Sequence, residues 1–518
     1  MRAVRILIPL IIVYVVYSFG LTAMSHVGFP KDMQSGLPVP YLADKPVGED
    51  GFYMLSVAWN ISSGRGVVYN NNLPTTGIQP LSTAIFALLA WIVQSLGGDK
   101  WNFIRVILAF GSVNLLLFGH IVGAIVRKLT DPKVQNLGYA LGFIGVVFNF
   151  TLFRLFTYGL ETGIYLTLFA ITILYTLLFP LKGIREAIVL GTLVGLTAWA
   201  RIDFGVVFLI FLCISVLRRQ LKMFWVVLTG TIATLFISPW FLYTFHVTGN
   251  WIPSSGAAQA TLITMQSAPS RLWIMGKAVL THMTPWCYSV SGWIFIVAAS
   301  VSFMVLVAFV FHVRGISIFL LSRLKQHPLF TNWFIGTAVL TLIYPVFFWA
   351  SHFYVRYSAP IVVPLTVIMA MTVCERIRSM SKTVWLVVLS TLPVCFFTWA
   401  FLSLHTGRIG NNHSVTAGFI QNYFDSVKVG AFQSGVIGYF NSNVINLDGK
   451  VNQSALDYVK DGRLSDYIDS ENIVVIVDWP GYIKSLPADW LTTNWNICGE
   501  QIPNNCSICL QRKPPSVN

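Results

Sequence analysis

The sequence has little charge and very little of it is acidic. Only 10% of its 518 residues are charged, and Asp and Glu together number 20. A hydrophobic fraction of 55% and a mean hydropathy of +0.69 exclude an ordinary soluble enzyme. The composition instead indicates a polytopic membrane protein.

The formal charge of +14 is consistent in size with nucleic-acid binding, but its distribution is not. The Lys and Arg residues form short clusters between apolar runs, where the positive-inside rule places them. No nucleic-acid partner is therefore expected. The clusters fall in every second loop, on the same side as Arg2 and Arg5, which we assign to the cytoplasm: Arg127/Lys128/Lys133, Lys182/Arg185, Arg218/Arg219/Lys222, Arg314/Arg323/Lys325 and Arg376/Arg378/Lys382.

The apolar runs predict about eleven transmembrane spans. The first run has a basic start and no small-residue cleavage site, so we expect a retained span. Leu81–Leu96 is also apolar, but counting it would invert the sidedness of every basic cluster, so we expect it to be interfacial or re-entrant. The predicted spans are Val4–Met24, Asn102–Val126, Leu137–Phe153, Thr162–Pro180, Glu186–Ala200, Asp203–Leu217, Met223–Tyr243, Gly292–Val313, Thr331–Ala350, Ser358–Cys374 and Thr383–Leu404.

The chain after His405 changes character and predicts a small soluble α/β domain. Val427–Ala431, Val444–Leu447 and Ile473–Val477 are predicted strands, and Ser454–Lys460 and Gly462–Ser470 are predicted helices. With eleven crossings this domain faces the periplasm. The predicted organisation is a transmembrane domain over 1–404, with a periplasmic first loop at 25–101, followed by a periplasmic domain over 405–518.

Cysteine is scarce, with seven residues in the chain. The tail's three cysteines, Cys498, Cys506 and Cys509, lie close together in sequence, which predicts one disulfide in an oxidising compartment. Free thiols remain the alternative. A zinc site would need a fourth ligand that this stretch does not offer.

The polar loop Gly48–Pro80 contains two adjacent carboxylates, Glu49 and Asp50, where an amphipathic helix is predicted to begin. One interpretation is that Asp50 is a helix cap, accepting backbone N–H bonds. The other is that an acidic pair just outside a membrane span, in a chain this poor in acids, is a reaction centre. Because one residue can serve both roles, both interpretations stay open.

Five further charged residues lie at the ends of apolar segments on the non-cytoplasmic side. Charge is expensive at such positions and serves either a functional site or internal ion pairs that fix helix ends. The five residues are Arg154, Glu161, Arg201, Asp203 and Arg356.

Five segments together resemble the C superfamily (GT-C) of bacterial membrane glycosyltransferases, in particular the arabinofuranosyltransferase-like group that uses polyprenyl-phosphate sugars. The segments are the first loop (EDGFYMLSVAWNISSGRGVVYN, then TTGIQPL), GLETGIY at Gly159–Tyr165, ARIDFG at Ala200–Gly205, GNWIPSS at Gly249–Ser255, and VGAFQSGVIGYF…VINLDGKVN in the tail.

The resemblance implies a catalytic carboxylate in the first outer loop, which falls on Asp50 with Glu49 beside it. Family members often have Asp-Asp or Asp-Glu here, so the order Glu-Asp leaves open which residue is the base. The implied reaction is inverting transfer of a single sugar from a polyprenyl-phosphate donor to a cell-envelope glycan or glycolipid, at the periplasmic face of a bacterial inner membrane.

This chemistry needs cations for the departing lipid phosphate and polar or aromatic groups for the sugar. Arg201 and Arg356 are the first candidates for the phosphate, because guanidinium can bond two phosphate oxygens. Arg154 and Lys277 are weaker candidates. The candidate substrate-binding residues are Tyr53, Gln79, Tyr158, Glu161 and Asp203.

We expect no metal or other cofactor, because adjacent side chains at a helix start diverge by about 100° and grip one ion poorly. A divalent cation remains the alternative. Two other functions also stay open, a flippase or transporter of lipid-linked sugars and a glycan polymerase or ligase. A transporter would favour ionisable residues near the membrane midplane, whereas here the charged residues gather at one rim.

Overall fold

The computed structural model describes residues 2–70, 73–261, 267–284, 322–348, 351–377, 382–503 and 507–514. It confirms the predicted fold class, since the chain is mostly helical, has several apolar spans and ends in a small sheet. The helices up to the tail are α1 Arg2–Met24, α2 Glu49–Ser62, α3 Pro80–Ser95, α4 Lys100–Leu129, α5 Gln135–Val147, α6 Phe150–Thr157, α7 Thr162–Leu178, α8 Ile184–Ala200, α9 Phe204–Leu217, α10 Met223–Thr248, α11 Ser254–Thr261, α12 Ala268–Met283, α13 Pro328–Phe347, α14 Tyr354–Tyr357, α15 Val362–Ile377 and α16 Lys382–Leu404.

Five helical segments within the described residues are long and apolar enough to cross a membrane. They are Leu7–Met24, Lys100–Leu129, Met223–Thr248, Pro328–Phe347 and Ser351–Cys374. Most other predicted spans are shorter helices, of which α7 has 17 residues and α9 has 14. The chain is thus a multi-pass membrane protein. The count of eleven stays a prediction, and its member Gly292–Val313 lies outside the described residues.

The predicted span Leu137–Phe153 is broken in the structure, because α5 and α6 form a pair bent by 59°, the geometry of a broken span or of a re-entrant loop. Asn149 causes the break: its side chain accepts a hydrogen bond from the backbone N–H of Leu152 at 3.1 Å and so caps a new helix. An N-cap asparagine inside an apolar run is the local signal for such a break.

The tail is built around a five-stranded sheet in the order β2-β1-β3-β5-β4. β1, β2 and β3 run parallel, whereas β5 pairs antiparallel with both β3 and β4. The tail elements are α17 Asn412–Tyr423, β1 Val429–Ala431, α18 Gly435–Phe440, β2 Val444–Asn446, α19 Gln453–Lys460, α20 Leu464–Ser470, β3 Val475–Asp478, α21 Pro480–Ile483, α22 Ala488–Asn494, β4 Trp495–Ile497 and β5 Ile508–Arg512.

The predicted strands and helices of the tail are found to within two residues, but β4 and β5 were not predicted. A disulfide joins Cys498 to Cys509, with 5.4 Å between the Cα atoms. The expectation of one disulfide in this stretch is confirmed, and Cys506 lies outside the described residues.

The tail packs directly on the first loop. The ring of Phe52 in α2 lies 5.2 Å from that of Tyr439 in α18. The Tyr53 hydroxyl accepts a hydrogen bond from the Ser434 N–H at 3.0 Å, and the Tyr69 hydroxyl donates to the Ser434 carbonyl at 2.6 Å. These contacts fix the start of α2 against the tail and bring residues from both parts of the chain to one cavity.

Candidate active site

A cavity of about 310 Å³ lies where the starts of α2 and α7, the turn after α8, helix α14 and a turn of the tail meet. Six charged residues line it: Asp50, Glu161, Arg201, Asp203, Arg356 and Lys450. The first five were singled out from the sequence, and the structure brings them together. A cavity that gathers three acids and three cations in a chain with so few charges is the candidate active site.

Glu49 and Asp50 point into different surroundings. Helix α2 begins at Glu49 with Gly48 as its N-cap, and no side chain caps it, so the interpretation of Asp50 as a cap is wrong. Asp50 lines the cavity, whereas the Glu49 carboxylate accepts backbone N–H bonds from Gly435 and Val436 at the start of α18. Of the two acids, Asp50 is therefore the one placed to act on a ligand in the cavity.

Two cations approach the Asp50 carboxylate, one on each oxygen. The Lys450 Nζ lies 3.5 Å from Oδ1, and the Arg356 Nη1 lies 3.7 Å from Oδ2. Burial by itself would raise the pKa of Asp50, but the positive charges of Lys450 and Arg356 outweigh it and the pKa is lowered. Asp50 is therefore an ionised carboxylate at neutral pH.

The environment of Glu49 has the opposite effect. Burial raises the pKa of Glu49 to about 8, against the hydrogen bond from the Val436 N–H, and the neighbouring charge of Asp50 adds to the rise. Two adjacent acids thus differ in protonation because one is surrounded by cations and the other by backbone.

All three guanidinium nitrogens of Arg201 donate hydrogen bonds that hold helix ends. Its Nε and Nη2 donate to the Asp203 carboxylate at 2.7–3.0 Å, its Nη1 donates to Glu161 at 3.0 Å, and its Nη2 also donates to the Tyr344 hydroxyl at 3.1 Å. The guanidinium thereby ties the starts of α7 and α9 to α13. This geometry corresponds to the ion-pair interpretation of these span-end charges.

The Arg356 guanidinium makes ion pairs that are longer than hydrogen bonds. Its Nη1 is 3.7 Å from Asp50 and its Nε is 3.9 Å from Glu161, both beyond hydrogen-bond length. Within the part of the chain that the structure describes, the buried Nε has no hydrogen-bond partner. The guanidinium stacks near the rings of Phe353 and Tyr357, at 5.0 and 5.4 Å from their centroids, so its position is set by packing.

Two glutamine side chains supply acceptors at the cavity wall. The Oε1 atoms of Gln79 and Gln259 are buried, and within the described ranges neither has a hydrogen-bond partner. Unsatisfied buried acceptors at a cavity wall are suited to hydroxyl donors of a ligand. Tyr53 also lines the cavity, but its hydroxyl is already bonded to Phe432 and Ser434 in the tail.

Three sequence candidates lie elsewhere. Arg154 and Tyr158 line a second cavity of about 320 Å³ together with Glu49, and it shares no lining residue with the first. Lys277 lies in α12 and lines neither cavity. The structure therefore does not bring these three side chains to Asp50, and a role for them in phosphate or sugar binding remains only a prediction.

Gln259 and Lys450 are site residues that the sequence reasoning missed, and of the two Lys450 carries a charge. It lies 400 positions after Asp50, and its carbonyl accepts a hydrogen bond from the Ser254 hydroxyl at 2.9 Å. A Cβ placed on Gly77 would lie 1.7 Å from that same carbonyl oxygen. The sequence held only an indirect signal for Lys450. Three of the segments that carry the family resemblance meet at this residue: TTGIQPL, GNWIPSS and VINLDGKVN.

No metal cluster is found among the described residues, where no group of three or more His, Cys, Asp or Glu side chains is arranged to hold an ion. The expectation of metal-independent chemistry stays a prediction, with the divalent cation as its alternative.

No family model matches the sequence, and no curated protein matches it. Solved structures do. ArnT from Cupriavidus metallidurans bound to undecaprenyl phosphate superimposes with a TM-score of 0.58 at 11% identity, over 98% of each chain. The oligosaccharyltransferase AglB from Archaeoglobus fulgidus, in complex with an inhibitory peptide and a dolichol-phosphate, gives 0.52 at 9% identity, over 90% of this chain and 69% of AglB.

A further structure of the Archaeoglobus fulgidus oligosaccharyltransferase, complexed with Zn and sulfate, gives a TM-score of 0.52 at 12% identity over 90% of this chain and 68% of that one. At these identities the likeness shows the fold. The chain has the fold of the GT-C membrane glycosyltransferases, as the sequence resemblance predicted. The arabinofuranosyltransferase-like subgroup stays a prediction.

Proposed function

We propose that the protein transfers a single sugar from a polyprenyl-phosphate donor to a hydroxyl of a cell-envelope glycan or glycolipid, with inversion at the anomeric carbon. The observation that carries the proposal is one cavity that contains an ionised carboxylate, Asp50, and, 3.7 Å from it, the Arg356 guanidinium, whose Nε has no hydrogen-bond partner among the described residues. Undecaprenyl phosphate in the ArnT structure and dolichol-phosphate in the AglB structure support a lipid-phosphate donor for this fold.

Asp50 acts as the general base. It takes the proton of the acceptor hydroxyl, the acceptor oxygen forms a bond to the anomeric carbon, and the bond from that carbon to the phosphate oxygen breaks. The electron pair leaves with the polyprenyl phosphate, whose charge is met by the Arg356 guanidinium, since its ion pairs with Asp50 and Glu161 are longer than hydrogen bonds. Attack from the side opposite the phosphate inverts the anomeric centre.

The isoprenoid chain of the donor occupies an apolar groove of about 590 Å³ next to the cavity. Ile78 lines both spaces, so a phosphate beside Arg356 and a lipid tail in the groove are contiguous. The groove lies between α3, α8 and α10 and carries Trp91, Trp199 and Trp240. A charged chamber joined to an apolar groove fits an amphiphilic donor better than a nucleotide sugar.

The sugar lies against Gln79 and Gln259, whose Oε1 atoms have no hydrogen-bond partner within the described ranges. A cavity of about 310 Å³ is at the small end of the usual range for ligand pockets, about 300–1,000 Å³, which favours one sugar residue over a preassembled glycan. This size argues against the polymerase or ligase alternative. A fixed charged chamber at the ends of several helices argues against the flippase alternative.

The alternation of basic clusters supports a location in a bacterial inner membrane, with the cavity and the tail on the periplasmic side. Nucleotide sugars are made in the cytoplasm, so a donor delivered by a lipid is the one that reaches such a site. Arg356 in place of a metal then stabilises the single leaving phosphate.

The test is transfer by the purified protein from labelled polyprenyl-phosphate monosaccharides, with release of polyprenyl phosphate measured in parallel. Nucleotide sugars and lipid-pyrophosphate oligosaccharides serve as competing donors, and excess chelator followed by Mg²⁺, Mn²⁺ or Ca²⁺ tests the metal. We expect turnover of the lipid monosaccharide in chelator. Turnover of a nucleotide sugar instead would overturn the donor, and activity restored only by an ion would overturn metal independence.

The matched variants are Arg356→Gln and Arg463→Gln. Arg463 is an exposed tail arginine paired only loosely with Asp461 at 3.4 Å, so its replacement should leave turnover unchanged. Arg356→Gln should lose turnover of the lipid-linked donor. Equal activity of the two variants would remove Arg356 from the proposed site.

A further inference from the structure

We infer that Lys450 is a second ligand of the donor phosphate, so that the tail supplies part of the catalytic cavity. The inference rests on the proposed function and adds to it a residue outside the membrane region. Among the residues that line the cavity, Lys450 is the one that comes from the tail. Its side chain is 9% exposed, so its charge is directed into the cavity and away from bulk solvent.

The Lys450 ammonium is poorly satisfied where it lies. Its Nζ is 3.5 Å from Asp50 and 3.3 Å from Asp448, both longer than the 2.7–2.9 Å of a well-formed charge-assisted hydrogen bond. Arg201, by contrast, reaches Asp203 at 2.7 Å. An ammonium has three N–H donors, so Lys450 retains donors for an anion in the cavity.

The backbone of Lys450 is held tightly although its ammonium is not. Its N–H donates to the Asp448 carboxylate at 2.9 Å, and its carbonyl accepts from the Ser254 hydroxyl at 2.9 Å. Gly77 packs against the same carbonyl so closely that a side chain there would overlap it. Three segments of the chain thus fix the turn that aims this lysine, which is more constraint than a surface charge needs.

Lys450 and Arg356 face the two different oxygens of Asp50, at 3.5 and 3.7 Å. An anion placed between these cations therefore lies directly beside the base. When the donor phosphate takes the donors of both cations, less positive charge acts on Asp50, and its carboxylate becomes a stronger base. Donor binding thus prepares Asp50 to take the proton of the acceptor.

The test compares Lys450→Met with Lys428→Met in the purified full-length protein. Lys428 is a tail lysine with a half-exposed side chain that pairs with Glu471 at 3.2 Å, and it serves as the matched control. Undecaprenyl phosphate and the uncharged undecaprenol are the probes. We expect Lys450→Met to lose at least tenfold in affinity for undecaprenyl phosphate and to bind undecaprenol unchanged, with most of the phosphate affinity restored in Lys450→Arg.

Wild-type affinity of Lys450→Met for undecaprenyl phosphate would overturn the inference and leave the proposed function standing. A wild-type protein that neither binds undecaprenyl phosphate nor transfers sugar would overturn both. Removing Lys450 strands the buried Asp448 carboxylate, so the double variant Asp448→Asn/Lys450→Met is measured as well. The same selective loss of phosphate affinity in the folded double variant supports the inference, and retention of that affinity contradicts it.

Discussion

Replacement of Gly77 by alanine should disturb the point where the first loop, α11 and the tail meet. The added Cβ would lie 1.7 Å from the Lys450 carbonyl oxygen, about half of an ordinary contact distance, and 2.8 Å from its carbonyl carbon. The carbonyl must move by more than 1 Å, which breaks its 2.9 Å hydrogen bond from Ser254. Overpacking costs about 1–3 kcal/mol and the lost hydrogen bond about 1 kcal/mol, so we expect a loss of about 2–4 kcal/mol.

The displacement also moves the Lys450 ammonium relative to Asp50, so transfer should fall more than the population of folded protein does. The assay is thermal unfolding in detergent together with sugar transfer measured well below the melting temperature. Gly205→Ala is the control, because a Cβ there meets nothing within 4 Å. If Gly77→Ala melts and turns over like Gly205→Ala, the close approach of the tail to the first loop is refuted.

Two further predictions follow from the buried charges. Arg201→Gln should lose about 3–5 kcal/mol in unfolding free energy, because it removes the hydrogen-bonded cation from the buried carboxylate of Glu161. Arg463→Gln, at the surface, should change the unfolding free energy by under about 0.5 kcal/mol. Chemical denaturation of both variants checks this prediction, and equal stabilities would contradict it. Burial raises the pKa of Glu49 from 4.5 to about 8 in the folded protein. The contribution of the protonated Glu49 side chain to the stability of the folded protein is therefore fully present below about pH 4.5 and is lost as the pH rises through about 8. The melting temperature of the wild type should therefore fall relative to that of Glu49→Gln between pH 5 and 9, and parallel curves would contradict this.

The helices and the charged cluster could be predicted because both leave local signals in the sequence. Apolar runs located most of the described helices to within a few residues, and charges at the ends of such runs are costly enough to indicate a shared site. Glu161, Arg201 and Asp203 were expected on one face for this reason, and they form one hydrogen-bonded group.

The partners of Asp50 across the chain had no such signal. Lys450 is 400 positions away and belongs to a turn whose local pattern predicts only a turn, so its approach to Asp50 depends on how the tail docks. The different surroundings of Glu49 and Asp50 also depend on how the tail docks, because backbone N–H groups of α18 in the tail donate to the Glu49 carboxylate.

The hairpin of β4 and β5 was missed for a different reason. β4 has three residues, of which Asn496 and Ile497 are exposed, so neither alternation nor a buried run marks it. Its position depends on pairing with β5 and on the disulfide between Cys498 and Cys509, both of which are tertiary contacts.

The most direct measurement is single-turnover sugar transfer by Asp50→Asn, with the donor prebound. Asparagine keeps the shape of the side chain but cannot take a proton, so we expect the transfer rate to fall by about 10²–10⁴-fold while undecaprenyl phosphate still binds. Asp32→Asn is the control, since the Asp32 carboxylate in the same loop accepts bonds from the nearby N–H groups of Gln34 and Ser35. Near-wild-type transfer by Asp50→Asn would contradict the assignment of the base, and with it the proposed site.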